Sequence, residues 1–215
     1  SDVYKRQQLF LFYWFILKKR VCKKTMLFDL KDQEILGVKD ISAQQKLNDY
    51  INLIKKWNKT RNLVSRQTSD LDLKEHVIDC LAINKEIKTK KILDIGTGAG
   101  LPGIVIALTN PETKVTLLDS NRKKISFLTH VKAKLNLKNV ELKHTRIEDY
   151  DVSKEKLIVC RALSSPNELI KKIKKNINEQ TVILMMVSED QNIFIEGYKT
   201  QYINSVAEKI LKKKR

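Results

Sequence analysis

Lys91 to Gly103 reads KILDIGTGAGLPG, and the fold of the whole chain turns on how this stretch is read. Ile92, Leu93 and Ile95 form a β-favouring apolar run without helical period, which predicts a strand buried on both faces. Gly96, Gly98 and Gly100 follow at alternate positions. They let the backbone turn tightly and approach a ligand with no Cβ in the way, where the next helix presents unpaired N–H groups. Strand, glycine turn and helix start, in that order, predict a nucleotide-type cofactor site.

Two cofactor classes compete for such a turn. Gly98, Gly100 and Gly103 satisfy the dinucleotide spacing G-x-G-x-x-G, which alone is weak evidence. Asp94 lies inside the strand and Pro102 interrupts the helix start. An anion at the turn suits the cationic methionine end of S-adenosylmethionine and would repel a pyrophosphate. The expectation is therefore S-adenosylmethionine, with NAD as the alternative.

Downstream of the turn, strand and helix signals alternate. Strands are expected at Lys114 to Asp119, Val140 to His144, Lys156 to Cys160 and Thr181 to Val187. Helical spacing marks Ile104 to Thr109 and Ile125 to Leu135, the latter capped by Ser120 or Asn121. Ser165, Pro166 and Glu168 supply cap, first-turn proline and capping-box glutamate for another helix. This alternation predicts a Rossmann-like α/β core with a parallel sheet across 89–190. Too few residues join the third and fourth strands for a full crossover helix, so a short turn is expected there. From Ser188 on, a helix near Asn204 to Leu211 and a basic KKKR end are read, but no strand pair; 191–215 reads as a divergent or truncated tail.

Upstream, 26–88 reads as a helical region. Ser42 and Gln45 form a capping-box pattern, and Leu47, Tyr50, Ile51, Ile54 and Trp57 recur at helical steps, predicting an amphipathic helix of about four turns. A second helix is expected after Ser69 or Asp70, with Leu73, Val77, Cys80 and Leu81 inward and His76 as a packed, hydrogen-bonded histidine. Between them Asn58 to Arg66 is polar and basic, suited to solvent or to phosphate. Residues 1–25 differ in composition. Leu9 to Leu17 is an apolar run too short to span a bilayer, and Lys18, Lys19 and Arg20 stand where a signal peptide would be cleaved. That segment is expected to be non-native or disordered, or else an apolar segment lying on the surface.

The chain has 215 residues, 42% hydrophobic and 31% charged, with a formal net charge of +17. The size and balance fit a globular α/β protein, and the charge favours a polyanion, nucleic acid ahead of a membrane. Cys22, Cys80 and Cys160 show no paired spacing, and His76, His130 and His144 are dispersed, so no disulfide framework and no metal are expected. The expected protein is a cytoplasmic monomer.

Ligands of an open parallel sheet lie outside the carboxyl ends of the strands. Asp119 ends the second core strand, where a carboxylate accepts from ribose hydroxyls; capping the next helix is its alternative role. Glu148 could border an adenine, and Leu101 would form an apolar wall. Arg161 ends the fourth core strand, as an anion ligand or as an internal ion-pair partner.

W-N-K-T-x-N-L at Trp57 to Leu63, H-x-x-D at His76 to Asp79, L-D-I-G-T-G-A-G-L-P-G-I at Leu93 to Ile104, T-L-L-D-S at Thr116 to Ser120 and R-A at Arg161 to Ala162 carry a resemblance. Together they resemble the bacterial 16S ribosomal RNA guanine-N7 methyltransferase family, RsmG (GidB), from Ile41 to about Glu168. The resemblance implies a Rossmann-like class I methyltransferase fold with a helical N-terminal extension. It implies S-adenosylmethionine as donor and N7 of one guanine in 16S ribosomal RNA, or in the small ribosomal subunit, as acceptor. It places cofactor contacts on Gly96, Leu101, Ile147, Glu148 and Arg161; the turn itself adds Gly98, Gly100 and Asp119. Lys59, Arg61, Arg66 and Arg161 are the candidates for RNA contact. No catalytic acid or base is expected, only positioning. Departures from the family pattern are Glu75, Cys80, and Met185 to Ser188 where an L-K-G segment is usual. Methylation of another RNA or of a small molecule, and a non-catalytic RNA-binding or assembly role, are the alternatives.

Overall fold

The computed structural model describes residues 7–14, 38, 40–65, 67–161, 165–174, 176–188, 195 and 197–204. Strand β2, Lys91–Ile95, is the strand that feeds the glycine turn. The chain leaves it through the glycine turn into helix α3, Gly103–Thr109, and returns as β3, Lys114–Asp119. Helix α4, Arg122–Lys134, leads to β4, Val140–His144. A short 3-10 turn, Ile147–Asp149, then carries it across to β5, Leu157–Arg161. Helix α5, Pro166–Ile173, β6, Val182–Ser188, and β7, Tyr198–Asn204, complete the core.

Among the described residues these strands form one sheet in the order β4-β3-β2-β5-β6-β1-β7, where β1 is Gln7–Trp14. Every pairing is parallel. Strand order reverses between β2 and β5: β3 and β4 build outward on one side, β5 and β6 on the other. That reversal opens a crevice at the carboxyl end of β2, where a Rossmann-like sheet receives its ligand.

The side chains of β2 alternate between two cores, as the period of a strand requires. Ile92 joins one cluster with Leu117, Val105, Phe127 and Leu128. Leu93 and Ile95 join the other with Leu118, Ile158, Leu169 and Ile183. Asp94, in step with Ile92, is therefore on the first face.

The first face carries two more helices, α1, Ile41–Arg61, and α2, Asp70–Ala82. Helix α1 packs against α2, α3 and α4. Its stripe of Leu47, Tyr50, Ile51 and Ile54 is buried, and Trp57 extends it against Phe127 at a ring separation of 5.5 Å. Helix α2 starts with a complete capping box, in which Ser69 Oγ accepts from Asp72 N and Asp72 Oδ2 accepts from Ser69 N.

The expected elements of the core are present, with shifts of a residue or so at their ends. Asn121, rather than Ser120, caps α4, accepting from Lys123 N at 2.9 Å. Other expectations are corrected. Helix α1 is capped by Asp40, whose Oδ1 accepts from Ser42 N at 2.8 Å, and it runs 21 residues, well beyond four turns. Ser42 and Gln45 match the capping pattern, but Asp40 stands one residue ahead of the first helical position and takes the role. The helix continues through Lys59 and Arg61 into what reads as a loop, ending at Asn62 with φ +48°.

Within 1–25, expected to be non-native, disordered or on the surface, Gln7–Trp14 is a strand inside the sheet, paired on both sides. Aromatic residues favour strands, and an inner position satisfies the backbone groups on both edges. The tail, where the sequence shows no strand pair, supplies the single strand β7 among the described residues. Asn204, read as the start of a helix, is the last residue of that strand; the rest of that stretch lies outside the described residues, as do Arg66 and Cys22.

Candidate functional site

The glycine turn is held from within by two aspartates that do different things. Asp119, at the end of β3, accepts from Gly98 N at 2.9 Å through Oδ2 and from Asn121 N at 2.8 Å through Oδ1. The Lys124 ammonium is 3.6 Å from the same Oδ2. Two backbone donors use two of a carboxylate's roughly four acceptor positions, so Asp119 keeps capacity for hydroxyl donors. The helix-capping alternative falls to Asn121 instead.

Asp94 is fully buried. Its Oδ2 accepts from Thr97 Oγ1 at 2.6 Å and from Gly103 N at 2.8 Å, so it ties the middle of the turn to the first residue of α3. Burial pushes its carboxyl up to about 7, although both hydrogen bonds pull the other way. Oδ1 is buried with no hydrogen-bond partner among the described residues. Sequence reading placed the whole carboxylate toward a cation; in the structure one oxygen is spent on the turn.

Three glycines do separate work. At Gly103 a Cβ would stand 2.5 Å from Asp94 Oδ2, so only glycine lets the α3 backbone reach that carboxylate. At Gly100, φ +98°, a Cβ would meet Ile104 Cγ1 at 2.5 Å and Leu128 Cδ2 at 2.9 Å. At Gly98, φ +60°, a Cβ would make only ordinary contacts, with Gly96 O and Lys124 Nζ each 3.8 Å away. Gly96 has φ +65° and donates to Leu118 O at 2.8 Å.

Across β2 from Asp119, Arg161 ends β5, half-buried. Its Nη2 lies 2.7 Å from His76 Nδ1 on α2. Arginine can only donate, so Nδ1 accepts and the proton sits on Nε2. Burial, helped by the Arg161 charge, lowers His76 to about 4, so it is neutral at pH 7. His76 is thus the packed, hydrogen-bonded residue expected, with a partner the sequence did not reveal. Burial also pushes the Cys80 thiol, near the Arg161 guanidinium, up to about 12, which removes it as a nucleophile.

The remaining candidates are less closely joined. Leu101 is buried beside the turn. Ile147 packs partly against the second core, and Glu148, exposed on the 3-10 turn, pairs with Lys172 of α5 at 3.3 Å. Lys59 and Arg61 are exposed in the last turn of α1. Among the described residues no three His, Cys, Asp or Glu side chains are grouped to hold a metal ion, and no helix is long and apolar enough to cross a membrane. Thr97, Lys124 and Tyr50 are contributors that sequence reading missed; Tyr50 Oη donates to Ala99 O at 2.7 Å.

Residues 43–214 match the family model described as rRNA small subunit methyltransferase G, GidB. The chain belongs to that family. The match runs through the tail, beyond Glu168, where the resemblance in motifs stops. Ribosomal RNA small subunit methyltransferase G of Hydrogenovibrio crunogenus is 44% identical over 135 residues, covering 61% of this chain and 62% of that protein. The protein of the same name from Legionella pneumophila subsp. pneumophila is 40% identical over 148 residues, covering 68% of this chain and 71% of its own. The chain thus spans less than two thirds of the length of the first of these relatives. Among solved structures, coclaurine N-methyltransferase bound to N-methylheliamine and SAH overlaps at TM-score 0.45 and 15% identity, covering 72% of this chain and 57% of that one.

Proposed function

We propose that the chain transfers the methyl group of S-adenosylmethionine to N7 of a guanine in 16S ribosomal RNA. The observation that carries this reading is the glycine turn, with Gly98 N–H bonded to Asp119 and no atom closer than 3.8 Å to a Cβ position on Gly98. Family membership supports the reaction class.

The residues present fit the cofactor. Asp119 has acceptor capacity left for ribose hydroxyls, and the buried Oδ1 of Asp94 is a polar atom beside the turn with no partner among the described residues. Gly96, Gly98 and Gly100 would admit the cofactor backbone to backbone, with Leu101 as apolar wall and Ile147 and Glu148 beside the adenine. Arg161, its orientation set by His76, would take the carboxylate end or an RNA phosphate. When bound, S-adenosylmethionine supplies an electrophilic methyl on a sulfonium.

The chemistry asks little else of the protein. N7 of guanine carries no proton at neutral pH and has an in-plane lone pair, so no side chain need remove a proton. The task left is to hold the base about 3 to 3.5 Å from the methyl carbon with the leaving sulfur behind it. An unstacked guanine costs a few kcal/mol, which binding of phosphates offsets. Lys56, Lys59 and Arg61, exposed along α1, and the net charge of +17 suit that role.

The test is incubation with methyl-labelled S-adenosylmethionine and small ribosomal subunits, or their RNA, from a strain lacking the modification, followed by mapping of the labelled base. Label at N7 of a single guanine is expected. Label on another base, or none with wild-type protein that binds S-adenosylhomocysteine, would remove this assignment.

A further inference from the structure

Tyr50 lies mid-way along α1 and is fully buried. Its neighbours on the stripe, Leu47, Ile51 and Ile54, are plain hydrocarbon, so packing alone does not explain a hydroxyl there. That hydroxyl donates at 2.7 Å to Ala99 O, 49 positions away in sequence and inside the glycine turn. Burial raises the phenol well above its ordinary range, so it remains a donor at every working pH.

The bond falls on a peptide of the turn that glycine leaves conformationally permissive. The Ala99–Gly100 unit precedes a residue at φ +98°, and glycine accepts either sign of φ at little cost, so this peptide plane is free to flip. Its N–H donates to Thr97 O at 2.8 Å, and its C=O is held by Tyr50. Tyr50 Oη also lies 3.1 Å from the position of a Cβ on Gly100, filling the space on that side. The plane is therefore pinned at both ends, one of them from a helix outside the sheet.

We propose that Tyr50 is a positioning residue for the cofactor site: its hydroxyl fixes the Ala99–Gly100 peptide and so the form in which the turn meets S-adenosylmethionine. The inference rests on the cofactor reading above. If only a fraction of molecules holds the competent turn, apparent affinity falls by that fraction. The helical extension then serves the donor site as well as the acceptor.

The test is Tyr50→Phe in the full chain, which keeps the ring and its packing. Calorimetry with S-adenosylhomocysteine is expected to show Kd raised about tenfold, from the missing bond and the freed turn. In turnover, KM for S-adenosylmethionine should rise while kcat at saturation stays within about twofold. A variant that melts earlier but binds S-adenosylhomocysteine as tightly as wild type would assign Tyr50 to the core alone and overturn the proposal. Wild type that fails to bind S-adenosylhomocysteine removes the cofactor reading, and this proposal with it. Amide exchange in the wild-type chain supplies a measure that needs no variant. The Gly100 amide should exchange as slowly as those of β2 without ligand; free exchange there, suppressed only by S-adenosylhomocysteine, would equally overturn the proposal.

Discussion

The two flanks of β2 at its carboxyl end are built on different plans. On the β3 side, Asp119 is bonded to Gly98, Asn121 and Lys124, all from the strand-turn-helix units that meet there. On the β5 side, Arg161 is bonded to His76, which arrives from α2, 85 positions earlier in sequence. The first flank is built mostly within the core, with only Tyr50 of α1 reaching its turn; the second is assembled by the helical extension. What neighbouring segments encode locally fixes the β3 side, whereas the β5 side depends on how the added helices pack.

The largest expected effect tests the compact flank. Gly103→Ala drives a methyl against Asp94 and Leu117, so unfolding by denaturant should show a loss of about 3 kcal/mol. Gly98→Ala meets only ordinary contacts and should cost only about 1 kcal/mol through its positive φ, yet on the proposed reading it stands where the cofactor approaches the turn and should abolish S-adenosylhomocysteine binding. Equal losses of stability would erase the distinction between a packing glycine and a ligand glycine.

Next, Asp119→Ala should raise Kd for S-adenosylhomocysteine about a hundredfold while affinity for RNA is kept. Unchanged cofactor affinity would count against this flank as the ribose site. His76→Gln, which removes the acceptor that orients Arg161, should weaken S-adenosylhomocysteine binding only about threefold in the same calorimetry and slow methyl transfer.

The flanks also differ in how acid acts on them. His76 has a lowered value in the folded chain, about 4, so its contribution to stability is present above pH 6.5 and is lost as pH falls toward 4. Asp94 has a raised value, about 7, so its contribution is present below pH 4 and is lost as pH rises through 7. Denaturant titrations across pH 4 to 8 should therefore show His76→Gln and Asp94→Asn diverging from wild type in opposite directions, each on the order of 2 kcal/mol over its window. Parallel profiles would mean the two groups do not titrate as their surroundings dictate.

The smallest effects belong to the exposed end of α1. Lys59→Ala and Arg61→Ala should each weaken RNA binding a few-fold and lower the slope of log K against log salt by roughly 0.7 to 0.9 for every phosphate left without its cation. No change in slope would remove α1 from the RNA interface.

The same contrast explains what could be read from the sequence. The β2 turn and Asp119 were legible because every partner lies within a strand-turn-helix unit or at the end of the next strand, and glycine spacing encodes such a turn directly. The Arg161–His76 and Tyr50–Ala99 bonds were not. Their partners are brought together only by the packing of α1 and α2, and Tyr50 sits on a helical stripe where an aromatic is ordinary core. Local ambiguity also misled: Asp40 and Ser42 are both competent caps, and the choice between them depends on where the chain enters the helix. Within Gln7–Trp14 the run from Leu9 is continuously apolar, and periodicity alone does not assign such a run to a strand.

One practical consequence concerns attempts to shorten this protein. The hydroxyl that steadies the turn and the imidazole that steadies Arg161 both belong to segments before residue 88. A minimal catalytic domain cut at the first core strand would keep every glycine of the motif and still lose the braces on either side of it. Miniaturised versions should therefore retain α1 and α2, or replace both braces by design.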